Sequence, residues 1–379
     1  MIMTVIAGHN IYTGLGFGSD TVYSLAKRGV TELKLREGTF GIPDPFVASL
    51  FDRDEIDARY ASRENHGRLT YMEKAMILSA EGALAMAGVD PSSPDTVFVF
   101  STTKGNVDLL ETSPDGSDVC LPLWHSAEIV ARHFGNPNEP ICVTNACTSG
   151  ICAQIVAKRM MEQDGYANAV VIGADFLSKF IVSGFQCLKA LSPERCRPFD
   201  KDRTGLNLSE AVATIVLSSE GRGIGMELED GCIRNDANHI SAPSRTAVGQ
   251  ISAIEKIVDA EKASDIAFIN VHGTATAYND NMESVAIHSC GLDSLPVVSY
   301  KSEFGHTLGA AGVLETIISC LSLKDGLVFP TYGYKENGVS YELNISESVR
   351  EVKGGRFLKI MSGFGGINAA VLYRFVGDE

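Results

Sequence analysis

Pro140-Ile141-Cys142-Val143-Thr144-Asn145-Ala146-Cys147-Thr148-Ser149-Gly150 is a short apolar run that breaks at small residues and opens onto a helix-patterned segment, Ile151 to Met160. A strand feeding a helix in this way puts Cys147 where unpaired backbone N–H groups converge, and such a place favours a thiolate. The chain holds nine cysteines, so its local context alone leaves Cys147 open as a buried core thiol or a nucleophile. Three more residues, each in a polar glycine-containing turn far along the chain, separate the two readings. His272 stands in Val271-His272-Gly273-Thr274-Ala275-Thr276, and Lys301 and His306 stand in Lys301-Ser302-Glu303-Phe304-Gly305-His306-Thr307. Together they point to thiol chemistry on a thioester.

Around this stretch the pattern is strand, helix, strand. Val5 to Ala7 reads as a buried strand followed by a turn over Gly8 to Gly18, and Met72, Ala75, Met76, Ser79, Ala83 and Met86 recur at helical spacing until Gly88. Thr96 to Phe100, Ile141 to Thr144, Ala169 to Gly173 and Ala211 to Leu217 read as interior strands of a parallel-rich sheet. Helix-like Ala247 to Val258 precedes a strand, Ile266 to Val271, that ends at His272. Helix-like Asn281 to Cys290 precedes a strand, Pro296 to Tyr300, that ends at Lys301. Gly309-Ala310-Ala311-Gly312 then opens a helix reaching Leu323, and Phe357 to Met361 and Ala369 to Phe375 are strands joined by a glycine-rich bend. The same grammar twice implies a faint internal duplication, divided as 1–218, carrying the cysteine, and 219–379, carrying the histidines. Ends of parallel strands gather at one sheet edge, where Cys147, His272, Lys301 and His306 can meet.

The 379 residues carry a formal charge of -15, which excludes a general nucleic-acid binder yet leaves room for a local basic patch. No cysteine pair has zinc-site spacing and no His-Glu-x-x-His segment occurs, so no metal is expected. The odd number of cysteines, several inside apolar runs, fits reduced thiols in the cytoplasm. The opening Met1-Ile2-Met3-Thr4-Val5 reads as a first strand rather than a leader or membrane anchor. His9, His66, His125, His133, His239 and His288 have no context comparable with that of His272 and His306.

Asn145-Ala146-Cys147-Thr148-Ser149-Gly150, Arg197-Pro198-Phe199-Asp200-Lys201-Asp202-Arg203, His272-Gly273-Thr274-Ala275-Thr276, Lys301 to His306 with Gly309 to Gly312, and Gly363-Phe364-Gly365-Gly366-Ile367-Asn368 follow one another in the order found in beta-ketoacyl-acyl-carrier-protein synthases of the elongating, Cys-His-His type. The chain resembles this family from about residue 70 onward. The resemblance implies a thiolase-like α/β fold of five layers, with two similar halves that each hold a mixed five-stranded sheet. It implies that Cys147 takes an acyl group from the phosphopantetheine of an acyl carrier protein, and that His272 and His306 face the malonyl thioester as it loses carbon dioxide. Lys301 would hold the site in register through Glu283, the N–H groups of Cys147 and Phe364 would form the oxyanion hole, and Phe364 would act as gate. Thr274 and Thr276 would meet the pantetheine arm. No bound cofactor is implied, because the pantetheine belongs to the partner.

The chemistry fits these parts. Decarboxylation develops an enolate, which needs hydrogen-bond donors rather than a strong base, and imidazoles with an ordinary pKa of about 6.5 are neutral enough to donate. Arg63, Arg68, Lys74, Lys201 and Arg203 are the basic candidates for docking an acidic carrier. A homodimer is expected, with a heterodimer left open, and no integral membrane association. The chain is shorter than its family between residues 104 and 141 and between 231 and 260, and Ser209 and Ala211 stand where glycines are usual. These departures point toward a specialised pathway such as polyene or polyketide-like assembly rather than housekeeping fatty-acid synthesis. Two other readings are a thiolase, which would need a second cysteine in the Gly363 to Gly366 segment, and a catalytically silent chain-length partner, which would lack the nucleophile.

Overall fold

The computed structural model describes residues 3–63, 67–220 and 223–377; His66 lies outside them. Ten strands carry the architecture. The first five are β1 (Val5–Thr13), β2 (Thr96–Ser101), β3 (Ile141–Val143), β4 (Asn168–Asp175) and β5 (Ala211–Ser218). The second five are β6 (Met226–Asn235), β7 (Ile266–Asn270), β8 (Val297–Val298), β9 (Arg356–Gly363) and β10 (Ile367–Phe375). The first set is ordered β1-β5-β4-β2-β3 and the second β6-β10-β9-β7-β8, joined edge to edge where Val5 pairs with Glu227.

In the first set β1/β5 and β5/β4 are antiparallel while β4/β2 and β2/β3 are parallel. In the second, β6/β10 and β10/β9 are antiparallel while β9/β7 and β7/β8 are parallel. Each strand therefore has its counterpart five places on, and the faint duplication of the sequence is a repeated topology of two mixed five-stranded sheets.

Helices repeat in step. Those that bear on the site are α1 (Tyr71–Ala87), α2 (Leu123–His133), α3 (Ser149–Asp164), α4 (Lys179–Cys187), α5 (Val248–Ile257), α6 (Ala277–Ser289), the single turn α7 (Lys301–Phe304) and α8 (Ala311–Lys324). α1 starts where the sequence places it because Thr70 and Glu73 form a reciprocal capping box, and it stops at Gly88 in a left-handed conformation. Three apolar cores separate the layers. Phe98, Phe100, Val170 and Ile172 face α1 and α2, whereas the alternate residues Val97, Val99, Ala169 and Val171 face α3 and α8 in the middle. Ile269, Leu358 and Ile360 face α5 and α6 on the far side. This is the five-layered α/β fold that the resemblance implied.

Several elements differ from expectation. β1 does not turn at Gly8 but runs on to Thr13: a Cβ on Gly8 would lie 2.2 Å from the Ala83 carbonyl, so this glycine admits α1 against the strand. β6 has no counterpart in the sequence reading, because its segment Met226-Glu227-Leu228-Glu229-Asp230-Gly231 looks like a solvated loop. α4 was also not anticipated. Only Val297–Val298 of the expected Pro296 to Tyr300 strand pairs, and Lys301 opens a helical turn instead of closing a strand.

α3 and α8, which follow β3 and β8, meet in the central layer without side chains between them. A Cβ on Gly150 would lie 2.8 Å from the Gly309 carbonyl, and one on Gly312 would lie 2.3 Å from the Ile151 nitrogen. Gly312→Ala should therefore force the helices apart and cost about 1–3 kcal/mol. A urea titration should show a lowered midpoint with an unchanged slope, and a stability equal to wild type would show that the contact is not restrictive.

Candidate active site

Each half delivers its chemistry at the same topological place, the turn between a parallel strand and a central helix. Cys147 lies two residues before α3, after Ala146, whose φ of 48° is left-handed. The turn is held by Asn145 N–H donating to Ser149 Oγ at 2.8 Å and by Thr148 Oγ1 donating to the Asn145 carbonyl at 2.7 Å. His306 lies in the corresponding turn before α8, with its N–H on the Asn207 carbonyl and its carbonyl accepting from Ser209 N–H. Ser209, standing where a glycine was expected, fits because Gly305 lacks a side chain: a Cβ there would lie 2.2 Å from Ser209 Oγ.

His306 Nε2 is 2.9 Å from Cys147 Sγ, and its Nδ1 accepts the N–H of Leu308 at 3.3 Å. That bond assigns the proton to Nε2 and aims it at the sulfur. The ring of His272 meets that of His306 edge-on with centroids 5.2 Å apart. One donor atom from each of Cys147, His272 and His306 lies within 4.8 Å of the others. The sequence thus brings three of its four chosen residues into one constellation, all buried.

The His272 turn hangs on Glu283 of α6. Its two carboxylate oxygens accept from His272 N–H at 2.6 Å and Gly273 N–H at 2.7 Å, and Asn279 Nδ2 donates to it at 2.8 Å. Burial, with Asp280 beside it, pushes the Glu283 carboxyl up to about 7. Gly273 has φ 48°, and a Cβ there would lie 2.5 Å from Ser299 Cβ.

Lys301 does not reach Glu283. Its partner is Glu315 of α8, whose Oε1 is 2.6 Å from Lys301 Nζ, while Glu315 Oε2 is 2.5 Å from Lys359 Nζ on β9. Neither Lys359 nor Glu315 was singled out from sequence. A lysine inside an apolar strand reads as an outward-facing residue, and only its complete burial shows otherwise.

Electrostatics correct two further expectations. Burial pushes the Cys147 thiol up to about 11 despite the opposing Lys301 cation, so the resting group is a thiol. His272 and His306 are held well below the ordinary imidazole range, first by burial and then by the Lys301 cation, with Lys359 adding to it. They are neutral by a wide margin, not by an unshifted pKa.

Above the constellation opens a cavity of about 1030 Å³, lined among others by Thr274, Thr276, Phe185, His239 and Phe364. Thr274 and Thr276 hydroxyls share a 2.8 Å hydrogen bond, and Phe364, 40% exposed, stacks on Phe185 of α4 at 6.0 Å. His239, which had no case in the sequence, lines the mouth. Among the described residues Cys147 is the one cysteine lining this cavity, so the second thiol that a thiolase would need is not there.

Of the docking candidates only Arg203 lines the cavity, and its guanidinium is engaged by the Asp200 and Gly338 carbonyls at 2.9 and 2.6 Å. Arg63, Arg68, Lys74 and Lys201 lie away from it, paired with Glu81, Asp118, Asp57 and Glu336. No helix among the described residues is long and apolar enough to cross a membrane.

Comparison with known proteins agrees with this geometry. Residues 42–222 match the model of the beta-ketoacyl synthase N-terminal domain and residues 226–335 that of the C-terminal domain. The tetracenomycin polyketide synthase ketoacyl synthase alpha subunit of Streptomyces glaucescens is 33% identical over 420 residues, covering 98% of this chain and 96% of that protein. The ishigamide ketosynthase/chain length factor superposes with a TM-score of 0.87 at 24% identity, over 99% of this chain and 100% of that one. A type II polyketide ketosynthase solved with its acyl-carrier protein and a bound hexaketide superposes with a TM-score of 0.82 at 21% identity, over 99% of this chain and 100% of that one. The intact Cys147, His272 and His306 argue against a silent chain-length partner, and the chain belongs to the beta-ketoacyl synthase family as a condensing enzyme of the Cys-His-His type.

Proposed function

We propose that Cys147 accepts an acyl group from the phosphopantetheine thiol of an acyl carrier protein and passes it to the carbanion formed as malonyl carrier protein loses carbon dioxide. The observation that carries this reading is the Nε2–H of His306 aimed at Cys147 Sγ from 2.9 Å, with His272 beside it at the floor of an open cavity. In the first half-reaction sulfur attacks the thioester carbonyl, its proton leaves with the carrier thiol, and an oxyanion develops. The N–H groups of Cys147 and Phe364 are suited to receive it: neither donates to another backbone carbonyl or side-chain oxygen among the described residues. In the second half-reaction the C–CO2 bond of the malonyl thioester breaks. Two neutral imidazoles stabilise the enolate oxygen, and the carbanion attacks the acyl carbonyl and expels Cys147 as a thiolate, which takes a proton from solvent to return to the thiol. The paired Thr274 and Thr276 hydroxyls line the cavity where a pantetheine amide would pass.

Carrier docking falls best to Lys189 and Arg245, both exposed and both lining the cavity mouth. Arg203 would shape the wall from its backbone contacts, and Arg63, Arg68, Lys74 and Lys201 are poorer candidates because each is balanced by a carboxylate elsewhere. A second ketosynthase-like subunit would add to β3, an edge strand of the sheet, on the side of α2, the helix that packs on β3 and carries Trp124, 59% exposed. The ketosynthase/chain length factor named in a similar structure favours a chain-length-factor-like partner, and a second copy of this chain is the other occupant to test. A polyketide-like or polyene product is the better-supported pathway class, given the Streptomyces relative.

Incubation with acyl carrier protein and malonyl carrier protein should give an acylated Cys147 peptide and a beta-ketoacyl product by mass spectrometry. Cys147→Ala should abolish both, while His272→Ala should keep acylation and slow condensation by about 10²–10³-fold; acylation elsewhere on the chain would overturn the reading. Lys189→Glu with Arg245→Glu should weaken transfer from carrier protein while leaving transfer from a small pantetheine thioester unchanged, and equal losses would remove the docking patch. Light scattering of the purified chain should report a dimer, and Trp124→Asp should dissociate it; a monomer that is fully active alone would contradict the edge-strand assembly.

A further inference from the structure

Lys359 sits mid-strand in β9, fully buried, on the opposite side of the Glu315 carboxylate from Lys301. Besides its 2.5 Å contact with Glu315 Oε2, its ammonium donates to the Val271 carbonyl at 3.2 Å. Val271 is the residue before His272, so the same cation grips the turn that presents the imidazole. On the other side of that turn Glu283 takes the N–H groups of His272 and Gly273. A buried ammonium is costly unless paired, and here two lysines share the Glu315 carboxylate behind the histidines, with Glu283 the other acid near Lys359.

We propose that Lys359 is a positioning residue for the condensation step, whose buried charge fixes the His272 turn and keeps His272 and His306 in their neutral, hydrogen-bond-donating form. The inference rests on the condensing reading of the site and adds a residue to it. The charged and titratable groups around Lys359 are Glu315 on α8, Lys301 on α7, Glu283 with Asp280 on α6, and the two imidazoles. Burial pulls Lys359 itself down to about 8 although Glu315 opposes this, so its charge is present below that pH and fades above it. Without Lys359 the imidazoles keep the Lys301 cation but lose the second one. The field at the imidazoles then drops, and each takes up a proton at a higher pH than in wild type. A protonated imidazole at rest no longer matches a site built for neutral donors.

The test is the pH profile of malonyl-pantetheine decarboxylation, run beside acyl transfer to Cys147 from a small acyl thioester. Wild type should keep its activity well below the ordinary histidine range of about 6.5 before the acidic limb falls. Lys359→Met and Lys359→Gln should both move that limb up by about 1 pH unit. Lys359→Arg, which keeps the charge, should leave it in place. Acyl transfer should persist in all three. The proposal is overturned by a wild-type limb at the ordinary histidine pKa, by neutral variants whose limb does not move, or by an arginine variant that shifts as far as methionine. The wild-type limb decides even where a variant fails to fold. Loss of acyl transfer in the native protein would strike the condensing reading itself, a separate result.

Discussion

The close approach of α3 and α8 through Gly150 and Gly312 is the contact on which the site depends. Each helix begins at the turn that carries one reacting group, Cys147 on one side and His306 on the other. The two sheets are built to the same plan, but similarity of plan alone would leave the groups a side chain's width apart. With glycine on both helices the backbones touch, and Sγ comes within hydrogen-bond reach of Nε2. The third group reaches the same point from β7, whose parallel neighbours β8 and β9 bring Lys301 and Lys359 to the edge behind it. A repeated fold thus yields an asymmetric site, because equivalent strand ends carry different chemistry.

Burial then sets the protonation states. A cysteine, two histidines, two lysines and two glutamates are buried together, where a charged form is costly unless it has partners. Glu315 meets that demand for both lysines. Glu283 meets its own by accepting three N–H donors. Cys147 and the histidines have no counter-ion and stay neutral. The resting site therefore holds its charge in a layer behind the reacting atoms and presents uncharged donors in front. Such a front surface suits an oxyanion or enolate that exists only transiently, since the one acceptor His306 Nε2 meets at rest is the weakly accepting Cys147 sulfur.

How much of this the sequence disclosed follows from what each residue touches. Cys147, His272 and His306 were legible because each stands among small polar residues that are out of keeping with an apolar strand or helix, and strand-end topology explains how they meet. The second sheet's first strand was missed because Asp230-Gly231 in its middle has the form of a turn; pairing with β10 over Met226 to Asn235 overrides the local pattern. Gly8 was misread because a glycine required by a helix on one face looks the same in sequence as one required by a turn. Lys301 was identified, but its partner was not, since Glu283 and Glu315 are both buried helix carboxylates and only three-dimensional reach separates them. Lys359 lacked any signal: between Leu358 and Ile360 it has the alternation of a half-exposed strand, although both faces of β9 are covered.

The same reasoning separates the part of the protein that fixes the reaction from the part that selects its substrate. The reacting groups and their supports are buried and tied to helices and sheets by at least one hydrogen bond apiece. The entrance is made of exposed side chains on short segments: Phe364 on the β9–β10 turn, Phe185 and Leu188 at the end of α4, Lys189 just beyond, and His239 and Arg245 in the loop before α5. Gly365 N–H donates to the Ile240 carbonyl at 2.8 Å and Asp236 N–H to the Gly366 carbonyl at 2.9 Å, so the turn bearing Phe364 and the loop bearing His239 are fastened to each other. On the proposed function, a side chain changed at the entrance would alter which acyl group passes while the charge layer beneath keeps its contacts. A side chain changed in that layer alters the chemistry for every substrate alike.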